Sequence, residues 1–492
     1  MNKKKPNFII IMPDQHRADI LGCAGKKVKT PNLDRLASEG VRFENTFTQA
    51  PLCVPARASF ITGRYVHETH CNTNKTYVHE NCPEFISNTF LNILKKKNYR
   101  NIDIAKMHLV YRNDAYDATR RVGDQNPELI DHIDNYIPKL LELGFTECKP
   151  MCGKMETTKI GSVYTEALQE KDLLEVYQKW LRKYPIINGE PIPLPKELYI
   201  DYFTGDLALN WLKSYVEEKN ENPFCLFIGF PGPHDPFDCI KEYTNLYDAK
   251  SIEIKEEEIK KPDRPIPPYT MVSKGVSRSN RVSTEFIQDC RAKYYGNVTL
   301  IDDKVGEIVK LLEDNDILDN TWIIYTSDHG EQLGDHKLFM KFVFYRSSVQ
   351  VPLIIRPPKG GDGKVIKKDV ELIDIPATMF DILGMDKPKD HKGKSLLPLI
   401  YNSDNSDYEH KELCISQVFN YIMGVTAEWK FVFNIINGKL MELYNRSEDY
   451  YENNNLANTE KGKEIGKELF EKYFDDIIPN PDFKEVDILK SF

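Results

Sequence analysis

Cys53-Val54-Pro55-Ala56-Arg57-Ala58-Ser59-Phe60-Ile61-Thr62-Gly63 is the stretch on which the reading of this chain turns. It predicts a short helix with a thiol at its mouth. Pro55 suits a first helical position and Gly63 suits the stop. Arg57 lies four positions after Cys53, so on a helix the two share a face and the guanidinium sits beside whatever Cys53 becomes. The start of such a helix offers free N–H groups and a partial positive charge, which suits an oxyanion. A lone Cys is more often a buried structural residue. Here the Pro, the Arg and the Thr-Gly ending turn the reading toward chemistry.

Apolar runs flank this stretch on both sides and predict an α/β chain. Residues 7–12 form a short apolar run that Pro13 ends, followed by Asp14-Gln15-His16-Arg17. Residues 30–37 read as a helix with Thr30 as cap and Pro31 at its first position, stopped by Gly40. Residues 41–43 resume as a strand leading to the Cys53 element. A helix at 90–97 gives way to a strand at 102–105 and then Lys106-Met107-His108. An amphipathic helix at 202–218 precedes the apolar strand 224–230, which runs into Pro231-Gly232-Pro233-His234-Asp235-Pro236. Helical pattern returns over 286–312. The strand 321–326 ends in Ser327-Asp328-His329-Gly330, and 351–355 is another buried strand. Between about 109 and 191 periodicity weakens, and this is expected to be an insertion forming part of a substrate wall. Residues 250–268, charged and then Pro-rich, read as a surface loop. Beyond 401 the chain reads as a smaller α+β segment with strands at 430–435 and 440–444.

Four of these strands each end in a compact polar group: Asp14-Gln15, Lys106 with His108, His234, and Asp328-His329. Taken singly, each group has an ordinary reading as a turn residue, a solvated charge or a satisfied imidazole. Ligands of open α/β sheets sit outside the carboxyl ends of the strands, so their joint appearance predicts one convergent site. Asp14, Gln15, Asp328 and His329 would make an oxygen-rich metal site with one imidazole.

Composition bounds what the site serves. The chain has 492 residues, 41% hydrophobic and 29% charged, as expected of a globular protein with a substantial core. A net charge of -9 argues against nucleic acid and an anionic membrane as partners. No segment approaches transmembrane length, and the apolar run near Phe8 is shorter than a signal core. The ten cysteines are scattered without a zinc pattern. Reduced thiols and a cytoplasmic location are expected.

The run C-x-P-x-R followed by T-G resembles the signature of the type I sulfatases of the alkaline phosphatase superfamily, and the likeness extends over residues 6–457. Ala56 stands where that family usually has Ser. The resemblance implies an alkaline-phosphatase-like α/β fold: a central mixed sheet flanked by helices in a catalytic domain over 1–400, with a smaller C-terminal α+β subdomain over 401–492. It implies that a maturation enzyme oxidises Cys53 to formylglycine, whose hydrate is the nucleophile. It further implies one divalent cation, calcium first with manganese or magnesium as alternatives, on Asp14, Gln15, Asp328, His329 and residue 53. A sulfate ester repels nucleophiles until positive groups neutralise it, and Arg57, Lys106 and Lys341 are the candidates. His234 would serve the leaving oxygen and His108 would be the base that releases sulfate.

Asp14-Gln15, where sulfatases often show two Asp, is similar to the phosphonate monoester hydrolases and choline sulfatases, as is S-D-H-G-E-Q-L-G-D-H with Lys341 downstream. Asn74 resembles by position an active-site Asn of the phosphonate hydrolases, and reads equally well as a loop residue. The leading expectation is a sulfatase acting on a small sulfated sugar or metabolite by S–O cleavage. The alternative is a phosphonate monoester hydrolase or phosphodiesterase using the same site. A third reading is a binder of sulfated ligands in which Cys53 stays a thiol; a binder, however, has no need of a leaving-group acid.

Overall fold

The computed structural model describes residues 4–110, 129–183, 191–219, 222–262, 282–401 and 409–479. Asn7–Ile11 (β1) is buried along its whole length. Phe8 and Ile10 enter one core and Ile9 and Ile11 the other, as the two-residue period of a strand requires. An uninterrupted apolar run is what a strand covered on both faces needs.

Seven strands join β1 in one sheet: Val41–Phe47 (β2), Arg100–Ala105 (β3), Glu147–Pro150 (β4), Phe224–Gly229 (β5), Thr321–Tyr325 (β6), Gln350–Arg356 (β7) and Lys364–Glu371 (β8). Their order is β8-β2-β7-β6-β1-β5-β3-β4. β7 runs antiparallel to both its neighbours, and the other pairings are parallel. The four strands that end in polar groups are therefore contiguous, β6-β1-β5-β3, and all open on one edge. Pro31–Ser38 (α1), Ile200–Glu217 (α3) and Thr284–Asp314 (α4) cover one face, and Cys53–Thr62 (α2) packs on the other.

Some local expectations shift. α2 starts at Cys53, so Pro55 is its third residue rather than its first. It still lies in the first turn, where an N–H has no intrahelical acceptor to lose. Thr30 does not cap α1 with its side chain; its hydroxyl accepts from the Gly22 N–H at 2.8 Å and donates to Asp34 at 2.9 Å.

The weakly patterned region also contains β4, a four-residue edge strand too short and polar to announce itself. Among its described residues it holds three α-helices as well, Ile137–Glu142, Val163–Gln169 and Leu174–Lys183. Residues 111–128 and 184–190 of that expected insertion, and 263–268 of the expected loop, lie outside the described residues.

A second sheet, an antiparallel meander, follows in Cys414–Val418, Tyr421–Val425, Trp429–Asn434 and Leu440–Asn445. One face packs on the helix Glu460–Tyr473 through Ile422, Phe431 and Leu469. The other meets Phe47, Leu52 and Phe342 of the main body. Among the described residues no helix is long and apolar enough to cross a membrane.

Candidate active site

The loop after β2 delivers α2 to the open edge of the sheet, beside the ends of β1 and β6. Cys53 Sγ lies 3.1 Å from His329 Nε2 and 3.8 Å from Asp14 Oδ1. Ligand atoms of Asp14, Cys53, Asp328 and His329 all fall within 4.8 Å of one another, and all four residues are buried. His329 Nδ1 faces the Gly330 carbonyl at 2.9 Å. A carbonyl only accepts, so the ring proton sits there and the Nε2 lone pair points into the cluster. Two carboxylates and an inward imidazole lone pair are a donor set that suits a divalent cation.

Arg57 braces this cluster from the helix. Its Nε donates to Asp328 Oδ2 at 2.9 Å, its Nη2 to Asp14 Oδ2 at 3.3 Å and its Nη1 to the Lys106 carbonyl at 2.7 Å. Lys106 Nζ pairs with Asp14 Oδ2 at 2.7 Å. Burial would raise the Asp14 carboxyl, but the charges of Lys106 and Arg57 hold it well below the usual range. Burial, with Asp14 beside it, pushes the Cys53 thiol up to about 12.

A second group adjoins the first. Gln15 has a left-handed backbone, φ 71°. Its Oε1 accepts from Lys341 Nζ and its Nε2 donates to Glu331 Oε2. Lys341 Nζ also reaches His234 Nε2 at 2.5 Å, and His234 Nδ1 meets the Asp235 carbonyl at 2.8 Å. The imidazole therefore carries its proton on Nδ1 and offers Nε2 as acceptor, and burial beside Lys341 holds it well below its usual pKa. Burial pushes Asp235 up to about 6 and Glu331 up to about 7. His108 is buried with φ 57°. Burial, Lys106 and Arg57 depress its pKa strongly, so it is neutral at pH 7.

Nine of the ten residues singled out in the sequence are linked by these contacts, and His108 lies within electrostatic reach of Lys106, Arg57 and Asp14. Asn74 joins them: its Oδ1 accepts the Val54 N–H at the start of α2, at 3.0 Å. His16, Arg17 and His336 turn elsewhere, His16 to Tyr325 and Ile20, Arg17 to Asp19 and Gln332, and His336 to Lys260. Sequence reasoning missed Glu331 and Asp235, although both sit inside quoted motifs. It also missed Gly153, where a Cβ would lie 2.8 Å from Lys106 Nζ and 2.6 Å from Glu156 Oε2. The segment after β4 therefore walls Lys106, and no local pattern announces it.

A sulfatase family model matches residues 6–385. The chain belongs to the sulfatase family. A model described as N-sulphoglucosamine sulphohydrolase, C-terminal, matches residues 334–477, which include Lys341, β7 and the terminal meander. An arylsulfatase of Clostridium perfringens is 29% identical over 495 residues, spanning 94% of this chain and 92% of that one. Two solved structures share the fold. The phosphonate monoester hydrolase of Silicibacter pomeroyi superposes with a TM-score of 0.76 at 21% identity, over 96% of this chain and 95% of that one. A protein solved with its substrate D-glucosamine-2-N,6-O-disulfate does so with 0.71 at 19% identity, over 97% and 100%. Membership makes the chain a sulfuric ester hydrolase.

Proposed function

We propose that this sulfatase cleaves a sulfate monoester at the S–O bond through a formylglycine hydrate derived from Cys53, with one divalent cation. The reading is carried by the convergence of Cys53 with Asp14, Asp328 and His329 inside a ring of Arg57, Lys106 and Lys341. Asp14, Gln15, Asp328 and His329 would hold the cation together with residue 53. Oxygen donors suit calcium, the first choice, or magnesium, and the imidazole also admits manganese. When present, the hydrate would supply one hydroxyl that displaces the alcohol at sulfur and a second that expels sulfate, and the cation would make the attacking hydroxyl more acidic. A thiol has no second hydroxyl, which is the chemical reason for a maturation enzyme.

The chain's own residues do the rest. Arg57 and Lys106 keep Asp14 ionised and set positive charge against the sulfate oxygens. Lys341 and His234 share a proton between Nζ and Nε2, and the leaving oxygen takes its proton from that pair. His108, neutral beside Lys106, accepts the proton of the second hydroxyl. The catalytic unit is residues 1–400, the substrate wall falls within 109–191, and 401–492 is the smaller subdomain. The substrate is a small sulfated sugar or metabolite. The location that accompanies this reading is cytoplasmic, on the scattered cysteines of the sequence.

The second reading, a phosphonate monoester hydrolase, draws on the neutral Gln15 beside Asp14. Both readings are tested on protein made alongside a maturation enzyme. Mass spectrometry of the Cys53 peptide should show the aldehyde, and an aryl sulfate should turn over faster than an aryl phosphonate ester. Turnover by protein whose Cys53 stays a thiol would overturn the mechanism, and the reverse preference would overturn the sulfatase reading.

A further inference from the structure

We propose that Glu331 is a positioning residue that decides which end of the Gln15 amide faces the cation site; this rests on the ligand reading given above. An ammonium has donors and no acceptor, so the Gln15 atom that meets Lys341 Nζ must be Oε1. Nε2 is then turned the other way, onto Glu331 Oε2 and 3.4 Å from Asp235 Oδ1. Glu331 is fully buried. Its other oxygen already takes the N–H of Leu333 at 3.0 Å and of Met340 at 2.6 Å.

One carboxylate thus receives three donors: two that close the loop carrying Lys341, and the amide of Gln15. The Gln15 backbone has little freedom to compensate. Its N–H donates to Asp328 Oδ1 at 3.1 Å and its carbonyl accepts from Tyr294 Oη at 2.6 Å. The remaining freedom is exchange of the two ends of the amide, which Lys341 biases from the oxygen side and Glu331, the nearer of two acceptors, from the nitrogen side. The reversed amide would set N–H groups against Lys341 and against any cation held by Asp14 and Asp328.

The test exchanges polarity across the pair. In Glu331→Gln, the new side chain can satisfy the two backbone N–H groups with its oxygen, and then presents an amide N–H2 to Gln15. Mn2+ affinity of the unmatured Cys53 protein, measured by calorimetry, should fall by roughly 10–100-fold, and kcat/KM of the matured enzyme on an aryl sulfate by a similar factor. Gln15→Glu alone places two carboxylates face to face and should lose about as much. The double variant Q15E/E331Q restores a donor at 331 against an acceptor at 15, and should return Mn2+ affinity to within about threefold of native.

Glu331→Leu, which removes the acceptor without adding a donor, should gain nothing from Q15E. Native-like Mn2+ binding by E331Q overturns the proposal, as does a double variant no better than the weaker single one, or a native chain that binds no Mn2+. If E331Q alone does not fold, the double variant decides: folding with Mn2+ bound supports the pairing, and failure overturns it. Should the native protein bind Mn2+ yet cleave no sulfate ester, the proposed function falls while the titrations still judge Glu331.

Discussion

Arg57 spans three acceptors on three elements, Asp328, Asp14 and the carbonyl of Lys106. A lysine has one nitrogen and cannot reproduce that fork. Arg57→Lys should therefore lower kcat/KM on an aryl sulfate by about 100-fold or more, with a lower melting temperature because two buried carboxylates lose contacts. Asp103, on β3 close to Arg57, is a different case. Both its carboxyl oxygens are buried with no hydrogen-bond partner among the described residues, and burial raises its pKa to about 8. The folded protein keeps a proton that the unfolded chain loses above its ordinary pKa of 3.8. Stability contributed by this group is full at low pH and falls as pH rises toward 8, by up to about 1.4 kcal/mol per pH unit. Asp103→Asn removes that slope. Thermal unfolding should show the variant gaining on the native protein between pH 5 and pH 8, and a parallel pH dependence would refute this.

The helix Cys53–Thr62 is readable from its own residues, because its stop depends on one backbone angle. Gly63 has φ 70°, and its N–H closes on the Ser59 carbonyl. A Cβ there would lie about 2.0 Å from the ring of His391. Gly63→Ala should cost roughly 1–3 kcal/mol through left-handed strain and that clash, seen as a lower urea midpoint at unchanged slope. The central strands were legible for a related reason: covered on both faces, they are apolar without interruption. β8 was not. It is an edge strand, K-V-I-K-K-D-V-E, whose pairing with β2 slips between Ile366 and Asp369, so its period of two is broken. The first two strands of the terminal meander, C-I-S-Q-V and Y-I-M-G-V, are buried on both sides. Short apolar runs of that kind do not separate strand from helix.

The terminal meander is tied to the main sheet by a buried charge cluster. Lys411 Nζ binds Glu371 and lies 2.6 Å from Asp374 Oδ1. Glu371 also accepts from Tyr65 Oη at 2.9 Å and the Ile415 N–H at 2.7 Å. Lys411→Met strands two buried carboxylates in the seam and should cost about 3–5 kcal/mol by urea unfolding. A change under about 1 kcal/mol would mean that the seam carries little of the stability.

Local chemistry marked the Cys53 helix and placed Asp14, Lys106, His234 and Asp328 just past apolar strands, because strand period and helix punctuation act over a few residues. The order β6-β1-β5-β3, which makes those strands neighbours, was decided in three dimensions, as was the meeting of Gln15 with Glu331 and Lys341. Such contacts join residues more than 300 positions apart. Hydrogen bonding across that separation leaves no periodic trace in the chain, so only the packed molecule reveals it.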